Sequence, residues 1–475
     1  MYVKGQLIEL EIADAGEGQV CFGKLPDGLA VFVAGMVAVG DRVEASVSKI
    51  KKNYLEARLT RVLSPSPQRI EPACPHFGVC GGCKWQHATY SEQLRVKRKI
   101  VSDALAHLGG FVGHAVAEPI PSPDIFGYRN KLEFSFGDRR YRLPEEMELS
   151  EASLTKPSNF ALGFHSPGRF DKVVDIDACL LGPSEMNEAL ALVKAFCRER
   201  GMSIYNTREH QGFLRNLVVR KAHATGQFMV YLVTSSYDEG LMAALDQALA
   251  AHFGTRLTTF VNGMTSRKNT VARGDEEIVI RGPGFITEKL GALQFAISPT
   301  SFFQTNTRQA ERLYDEALRV AAPRPTDIVH DLYCGTGTIS LWLAPHCRAV
   351  VGCELEASSL RDAEANAKTN GIGNAQFLAL DLKHYAKAVR ELPSDLRPDV
   401  VVVDPPRAGL HPDLVAELRS LRPERIVYVS CNPASLARDA QAICADAAYT
   451  LGPVQPVDLF PHTGHVESAA SLTRV

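Results

Sequence analysis

Short alternating segments broken by glycine open the chain, running Gln6 to Ile12, Gln19 to Gly23, Leu29 to Val33, Arg42 to Ile50 and Tyr54 to Val62, with turns at Asp27-Gly28 and Gly40-Asp41. Five strands at about ten-residue spacing predict a small five-stranded barrel of the oligonucleotide-binding type. Ser64-Pro65-Ser66-Pro67 then reads as a linker, because successive X-Pro bonds favour extended backbone and break helix and ladder alike. A helical pattern follows from about Thr89 to Leu108. Strands such as Lys131 to Phe136 and Leu217 to Val219 next alternate with helices such as Pro183 to Arg200, which predicts a central α+β domain. Ala310, Leu313, Tyr314, Ala317 and Leu318 recur at helical spacing between Asn306 and Ala321. Beyond them, Ile328 to Leu332, Ala349 to Gly352, Ala375 to Leu380, Val400 to Val403 and Ile426 to Val429 are short apolar runs separated by helical segments. Buried parallel strands have this pattern, so the last part of the chain is expected to be a doubly wound α/β domain. The expected divisions are 1–63 for the barrel, 64–290 for the central domain and 291–475 for the α/β domain.

A length of 475 residues suits roughly three domains, and 45% apolar with 22% charged residues excludes extensive disorder. No apolar run approaches the ~18 residues that a membrane span needs, and Met1 to Leu10 has no basic region followed by an apolar run. A cytoplasmic monomer with no membrane association is the expectation. A net charge of -2 excludes holding a nucleic acid by overall charge, so any such contact needs local patches. The candidates are Lys49, Lys51 and Lys52; Arg95, Lys97, Arg98 and Lys99; and Arg215, Arg220 and Lys221. Each cluster taken alone reads as a solvated face. Eleven cysteines without a signal peptide point to metal or catalytic chemistry rather than a disulfide framework.

The run Val329-His330-Asp331-Leu332-Tyr333-Cys334-Gly335-Thr336-Gly337-Thr338 places an apolar strand before a glycine-rich turn and a helix. Gly335 and Gly337 would let backbone approach a ligand at that helix N-terminus. Glu354 ends the second strand, where a carboxylate can accept hydrogen bonds from ribose hydroxyls, and Asp381 ends the third. At the fourth strand, Asp404-Pro405-Pro406-Arg407 locks the chain into an extended turn at the ligand-binding edge. Strand ends bearing Asp331, Glu354, Asp381 and Asp404 resemble Rossmann-like S-adenosylmethionine-dependent methyltransferases of class I. A dinucleotide-binding fingerprint would need glycine where Ser340 stands. After the fifth strand, Ser430-Cys431-Asn432-Pro433 sets a thiol beside the same crevice. A cysteine near a strand is otherwise a small buried hydrophobe.

The strings Ser301-Phe302-Phe303-Gln304-Thr305-Asn306, Asp331-Leu332-Tyr333-Cys334-Gly335, Asp404-Pro405-Pro406-Arg407, Ser430-Cys431-Asn432-Pro433 and Phe460-Pro461-His462-Thr463-Gly464-His465-Val466-Glu467 together resemble the RNA 5-methyluridine methyltransferase family, in that family's order. The first segment resembles the TRAM domain, an RNA-binding barrel. The resemblance implies Cys431 as nucleophile and Glu467 as proton acceptor, with His465 the next candidate base. It implies Gln304, Tyr333, Glu354 and Asp404, together with Asp381, as contacts of S-adenosylmethionine. Two positions depart from the family's commonest string, which has phenylalanine at Tyr333 and asparagine at Thr338.

Cys74-x5-Cys80-x2-Cys83 puts three thiols and flexible glycines on one loop, a set able to wrap an inorganic cluster or a zinc ion. This resembles the family members that carry a [4Fe-4S] cluster, which implies Cys179 as fourth ligand, with Cys197 or Cys21 as substitutes. Zinc on the same four thiolates is the alternative. The family acts on uridines in ribosomal RNA or tRNA, and the barrel with the cysteine loop favours large-subunit (23S) ribosomal RNA. Rival readings are a cytosine-5 or adenine-N6 methyltransferase, although amino-group methylation commonly uses Asn-Pro-Pro-aromatic, and an iron-sulfur RNA-binding or redox-sensing protein without catalysis.

Overall fold

The N-terminal segment of the computed structural model, which describes residues 2–16 and 20–475, closes into a barrel. Its strands are β1 (Leu7–Glu11), β2 (Asp14–Ala15), β3 (Cys21–Lys24), β4 (Ala30–Ala34), β5 (Arg42–Ile50) and β6 (Tyr54–Ser64), in the order β1-β5-β6-β4-β3-β2. All five predicted strands are present, and Gln19, expected in the second, lies outside the described residues. The two-residue β2 is additional. It arises where the chain bends past β1 and the Ala13 N–H donates to the Phe22 carbonyl at 2.9 Å, which draws the sheet round on itself. Strand alternation buries Ile8, Leu10, Val31, Val33, Val43, Ala45, Leu55 and Ala57 inside.

Helix α1 (Tyr90–His107) is capped by Thr89, whose hydroxyl accepts from the Glu92 N–H. It joins two cores. Val96 and Ile100 cover the barrel, while Val101, Ala104 and Leu105 enter the core of the α/β domain.

The central sheet comprises β7 (Lys131–Gly137), β8 (Ala161–Ser166), β9 (Arg169–Asp175), β10 (Leu214–Lys221), β11 (Phe228–Thr234), β12 (Leu257–Met264) and β13 (Glu276–Arg281), in the order β13-β12-β11-β10-β7-β8-β9. Only the β11–β12 pair is parallel. Helices α2 (Ser184–Glu199) and α3 (Glu239–Phe253) bury Met186, Leu190, Met242 and Leu245 against it. The hairpin β14 (Ile286–Leu290) and β15 (Leu293–Ile297) packs with α4 (Thr307–Ala321) in the α/β core. The division expected at 290/291 therefore passes through that hairpin's turn.

The α/β domain runs β16 (Ile328–Leu332), α5 (Thr338–Leu343), β17 (Ala349–Glu354), α6 (Ala357–Thr369), β18 (Ala375–Ala379), α7 (Tyr385–Glu391), β19 (Val400–Val403), α8 (Pro412–Leu421), β20 (Arg425–Ser430), α9 (Pro433–Cys444), β21 (Tyr449–Leu451), β22 (Gln455–Val457) and β23 (Glu467–Arg474). Strand order is β18-β17-β16-β19-β20-β23-β21, with β22 also on β23. The first five of these are parallel, and the order reverses between β16 and β19, where such sheets open a crevice at their carboxyl ends. β23 runs antiparallel beside β20. Among the described residues no helix is long and apolar enough to cross a membrane.

Candidate active site

At the carboxyl end of β16 the backbone turns sharply. Tyr333 (φ 65°), Gly335 (φ 55°) and Gly337 (φ 79°) all take left-handed conformations. For a tyrosine this costs about 1–3 kcal/mol and persists only where the surroundings hold it. The turn aims Tyr333 into a cavity of about 960 Å³ that Gln304, Gly335, Glu354, Asp404, Cys431, His465 and Glu467 also line. The Glu354 carboxylate accepts from the N–H groups of Gly335 (3.2 Å), Leu355 (2.7 Å) and Glu356 (3.0 Å), which fixes it beside the glycine turn. Asp381 stays outside this lining. It is exposed and caps its own turn by accepting from the Lys383 N–H at 3.1 Å. Thr338 is partly spent on a contact with the Tyr314 hydroxyl at 3.2 Å.

Cys431 and Glu467 come together through sheet register. β20 and β23 pair from Arg425↔Thr473 to Ser430↔Ser468, so the next step places Cys431 opposite Glu467 on one face. Burial pushes the Cys431 thiol up to about 11, the charges of Glu467 and Asp404 add to this, and Arg407 opposes it. Burial also pushes Glu467 up to about 8, with Asp404 adding and Arg407 opposing. Burial alone raises Asp404 to about 7. Asp331 behaves alike at about 7, although the Ser340 hydroxyl donates to its Oδ2 at 2.6 Å, and its Oδ1 has no protein partner. A crevice with this many uncompensated carboxyls favours a cationic ligand.

The turn before Glu467 is held almost entirely by the N-terminal half of the chain. Lys97, fully buried on α1, donates to the Asp458 carboxylate and to the Phe460 carbonyl, and the Tyr90 hydroxyl donates to the same Asp458. The Tyr128 hydroxyl reaches the Pro461 carbonyl, and the N–H groups of Lys84 and Trp85 both donate to the His462 carbonyl. His462 itself has φ 67° and stacks on Phe126 at 4.3 Å. Lys84 directly follows Cys83, so the cysteine loop and the Glu467 segment are hydrogen-bonded neighbours.

Cys74, Cys80, Cys83 and Cys179 also line this cavity. Burial pushes Cys80 up to about 11 and Cys83 up to about 12, and in both the neighbouring thiols add to the rise. Cys197 and Cys21 lie in the central and barrel cores instead. Among the described residues no three His, Cys, Asp or Glu side chains are set to hold a single metal ion.

Lys97, Arg215 and Arg220 correct the sequence reading of their clusters as solvated surface or RNA patch, because all three are buried, whereas Lys49, Lys51 and Lys52 are exposed as expected. On α1, Arg95 pairs with Glu92, Arg98 with Glu118 and Lys99 with Asp103 and Asp14, while Lys97 is interior. Arg215 and Arg220 are buried because β10 is covered on both faces. They satisfy backbone carbonyls of Thr265 and Asn269, and of Ser301. Lys221 pairs with Glu185. Three cations that sequence reasoning passed over do line the cavity, Arg407, Lys131 and Arg129, the last 5.9 Å from the Phe460 ring centroid. Arg407 was visible only as part of its Pro-Pro-Arg string, and nothing in the sequence marks Arg129.

Residues 255–475 match the family model described as tRNA (Uracil-5-)-methyltransferase, and residues 3–60 match the TRAM domain. An uncharacterized RNA methyltransferase of Chlorobaculum tepidum is 49% identical over 100% of this chain and 97% of its own length. One from Porphyromonas gingivalis is 39% identical over 94% of this chain and 96% of its own. Among solved structures, the Pyrococcus abyssi tRNA (uracil-54, C5)-methyltransferase in complex with S-adenosyl-L-homocysteine superposes with a TM-score of 0.73 at 29% identity, covering 98% of this chain and 100% of that one.

Proposed function

Because the chain belongs to the family of S-adenosylmethionine-dependent RNA uracil-5-methyltransferases, we propose that it methylates carbon 5 of a specific uridine in 23S ribosomal RNA through a covalent adduct of Cys431 with carbon 6. The observation that carries this reading is that Cys431 and Glu467, adjacent through sheet register, line one cavity with Gln304, Tyr333, Glu354 and Asp404.

Carbon 5 of uracil is a poor nucleophile, and addition of the Cys431 thiolate at carbon 6 makes it enolate-like. S-adenosylmethionine, when bound, supplies an electrophilic methyl group. Glu354 is placed to accept from hydroxyls, Tyr333 and Gln304 to wall the ligand, and Asp404 to face its positive charge, with Asp381 assigned to the outer rim. The fit rests on Asp404, a carboxyl of the cavity lining that burial raises to about 7 with no cation opposing the rise. Glu467 then takes the carbon-5 proton, and the electron pair released restores the ring double bond and expels the Cys431 sulfur. Burial, which raises Glu467 to about 8, makes its ionised form a stronger base, and the ionised fraction grows as pH rises through about 8. Arg407 favours the ionised form of both groups.

We assign Cys74, Cys80, Cys83 and Cys179 to a [4Fe-4S] cluster. The four thiols line one cavity and each sits close enough to the others for its charge to act on them, which suits soft thiolate ligation of an iron-sulfur cluster. The methyl transfer needs no electron, so the cluster's role is structural. The enzyme is assigned to the cytoplasm as a monomer.

The TRAM barrel, an added RNA-binding module, favours a large folded RNA in this reading. A tRNA substrate is the second reading, favoured by the likeness to the Pyrococcus abyssi enzyme along nearly the whole chain. Mass-spectrometric mapping of 5-methyluridine in RNA from cells with and without the gene tests both. Loss of one modified position from 23S ribosomal RNA is the expected result, and loss confined to tRNA overturns the ribosomal assignment.

A further inference from the structure

The turn that leaves β19 carries Arg407, and helix α9 grips its backbone with three side chains. Asn432, the residue after Cys431, donates its Nδ2 to the Arg407 carbonyl at 2.8 Å, while its Oδ1 accepts from the Ala434 N–H and caps the helix. Farther along the same helix, Arg438 donates to the Ala408 carbonyl at 2.8 Å. The buried Asp439 accepts from the Leu410 N–H and from the Tyr428 hydroxyl, both at 2.7 Å, which ties the turn to the strand that ends at Cys431. Gly409 fits under this grip because it lacks a side chain. Its φ is 82°, and a methyl group there would collide with the Arg438 guanidinium, the Asp439 carboxylate and Ser435.

The Arg407 side chain itself is exposed, and among the described residues it makes no ion pair and reaches only the His465 Nδ1, at 3.4 Å. Its guanidinium nonetheless lines the cavity with Cys431 and Glu467 and favours the ionised form of both. A long, flexible side chain without a partner of its own delivers its charge to one place only if its backbone is fixed. The placement of this charge therefore depends on the bonds to α9. The other charged groups that face Cys431 are Glu467 from β23 and Asp404 from the start of the same turn. His465, beside Arg407, is pushed down by burial and is neutral above pH 7.

We propose that Asn432, Arg438 and Asp439 are positioning residues, which grip the turn 406–410 and so hold the Arg407 guanidinium beside Cys431 and Glu467. The proposal rests on the reading of Cys431 as nucleophile and deepens it. Thiolate formation draws on a charge supplied by one turn and placed by the helix that begins two residues after the nucleophile. It also gives a use to Asn432, a member of the Ser430-Cys431-Asn432-Pro433 string that the reaction itself leaves without a role.

The test measures alkylation of Cys431 by iodoacetamide, an uncharged reagent, in the full-length protein at about pH 9.5, read by peptide mass spectrometry. Glu467 is largely ionised at that pH, so its charge is the same in every variant. Arg407→Met should slow alkylation about threefold, half a pKa unit in the thiol, because the guanidinium is exposed and screened. Gly409→Ala and Asn432→Ser should each slow it about two- to threefold, serine keeping the helix cap but losing the donor to the Arg407 carbonyl. In the Arg407→Met background neither substitution should slow it further, since the displaced turn then carries no charge. A merely structural loosening would act equally in both backgrounds. Wild-type rates in both Gly409→Ala and Asn432→Ser overturn the proposal, as does equal slowing by Asn432→Ser with and without Arg407, or a wild-type rate in Arg407→Met. Should Gly409→Ala not fold, the Asn432→Ser comparison decides alone. Alkylation needs no RNA, so these failures leave the nucleophile reading intact, whereas wild-type protein that forms no adduct with RNA containing 5-fluorouridine defeats both.

Discussion

Cys431 and Glu467 occupy the first positions beyond the Ser430–Ser468 pair of β20 and β23, so one antiparallel register places both reactive groups. Their proposed roles lie at opposite ends of the same reaction. Glu467→Gln should still form the Cys431 adduct and still receive the methyl group, but release stalls without a proton acceptor. Turnover is expected to fall by about 10²–10⁴-fold, with a methylated protein–RNA adduct accumulating on ordinary uridine substrate. Denaturing gels with labelled methyl donor detect it. Wild-type turnover with no adduct transfers the proton-acceptor role to His465.

The same proximity sets a pH dependence. Burial, then the Glu467 and Asp404 charges, hold Cys431 near 11, and Glu467 itself ionises at about 8. Above pH 8 the Glu467 charge disfavours the thiolate, and a neutral glutamine there removes that penalty. Alkylation of Cys431 by iodoacetamide at pH 9 should therefore be about two- to tenfold faster in Glu467→Gln than in wild type, one pKa unit being tenfold in thiolate. Equal rates would show that the two groups do not sense each other.

How much of this was legible in the sequence depended on which signal each residue carried. Tyr333, Glu354, Asp404 and Cys431 end apolar runs of four to six residues, and those runs became the parallel strands β16, β17, β19 and β20. Glu467 heads Glu467-Ser468-Ala469-Ala470-Ser471-Leu472-Thr473-Arg474, where small residues on both faces hide strand periodicity. Its neighbour across the sheet was therefore invisible before the fold was known. Charges misled in another way. Lys97, Arg215 and Arg220 read as surface from composition, but α1 is wedged between two cores and β10 is covered on both faces.

Lys97 offers a stability test. Its ammonium and the Asp458 carboxylate are both fully buried, so removing one partner leaves an uncompensated charge. Lys97→Met should destabilise by about 3–5 kcal/mol, and Lys97→Met/Asp458→Asn should recover a large part of that. Thermal denaturation measures both. An unchanged melting temperature in the single variant would mean that the pair does not anchor the turn before Glu467.

The metal assignment has a direct chemical readout. Anaerobically purified protein should be brown, with about four irons per chain and little zinc, because soft thiolates suit iron-sulfur clusters. Cys179→Ser should lose iron. Stoichiometric zinc without iron would replace the cluster by a zinc site, and full iron retention in Cys179→Ser would remove residue 179 from the ligand set.

The covalent mechanism is tested most directly with RNA containing 5-fluorouridine at the target position. Fluorine cannot leave carbon 5 as a proton does, so the reaction stops after methyl transfer with the enzyme still attached. Wild-type protein should give a stable adduct whose RNA-linked peptide contains Cys431, and Cys431→Ala should give none. An adduct of equal yield in Cys431→Ala, or an RNA-linked peptide that excludes residue 431, would contradict the assignment of the nucleophile.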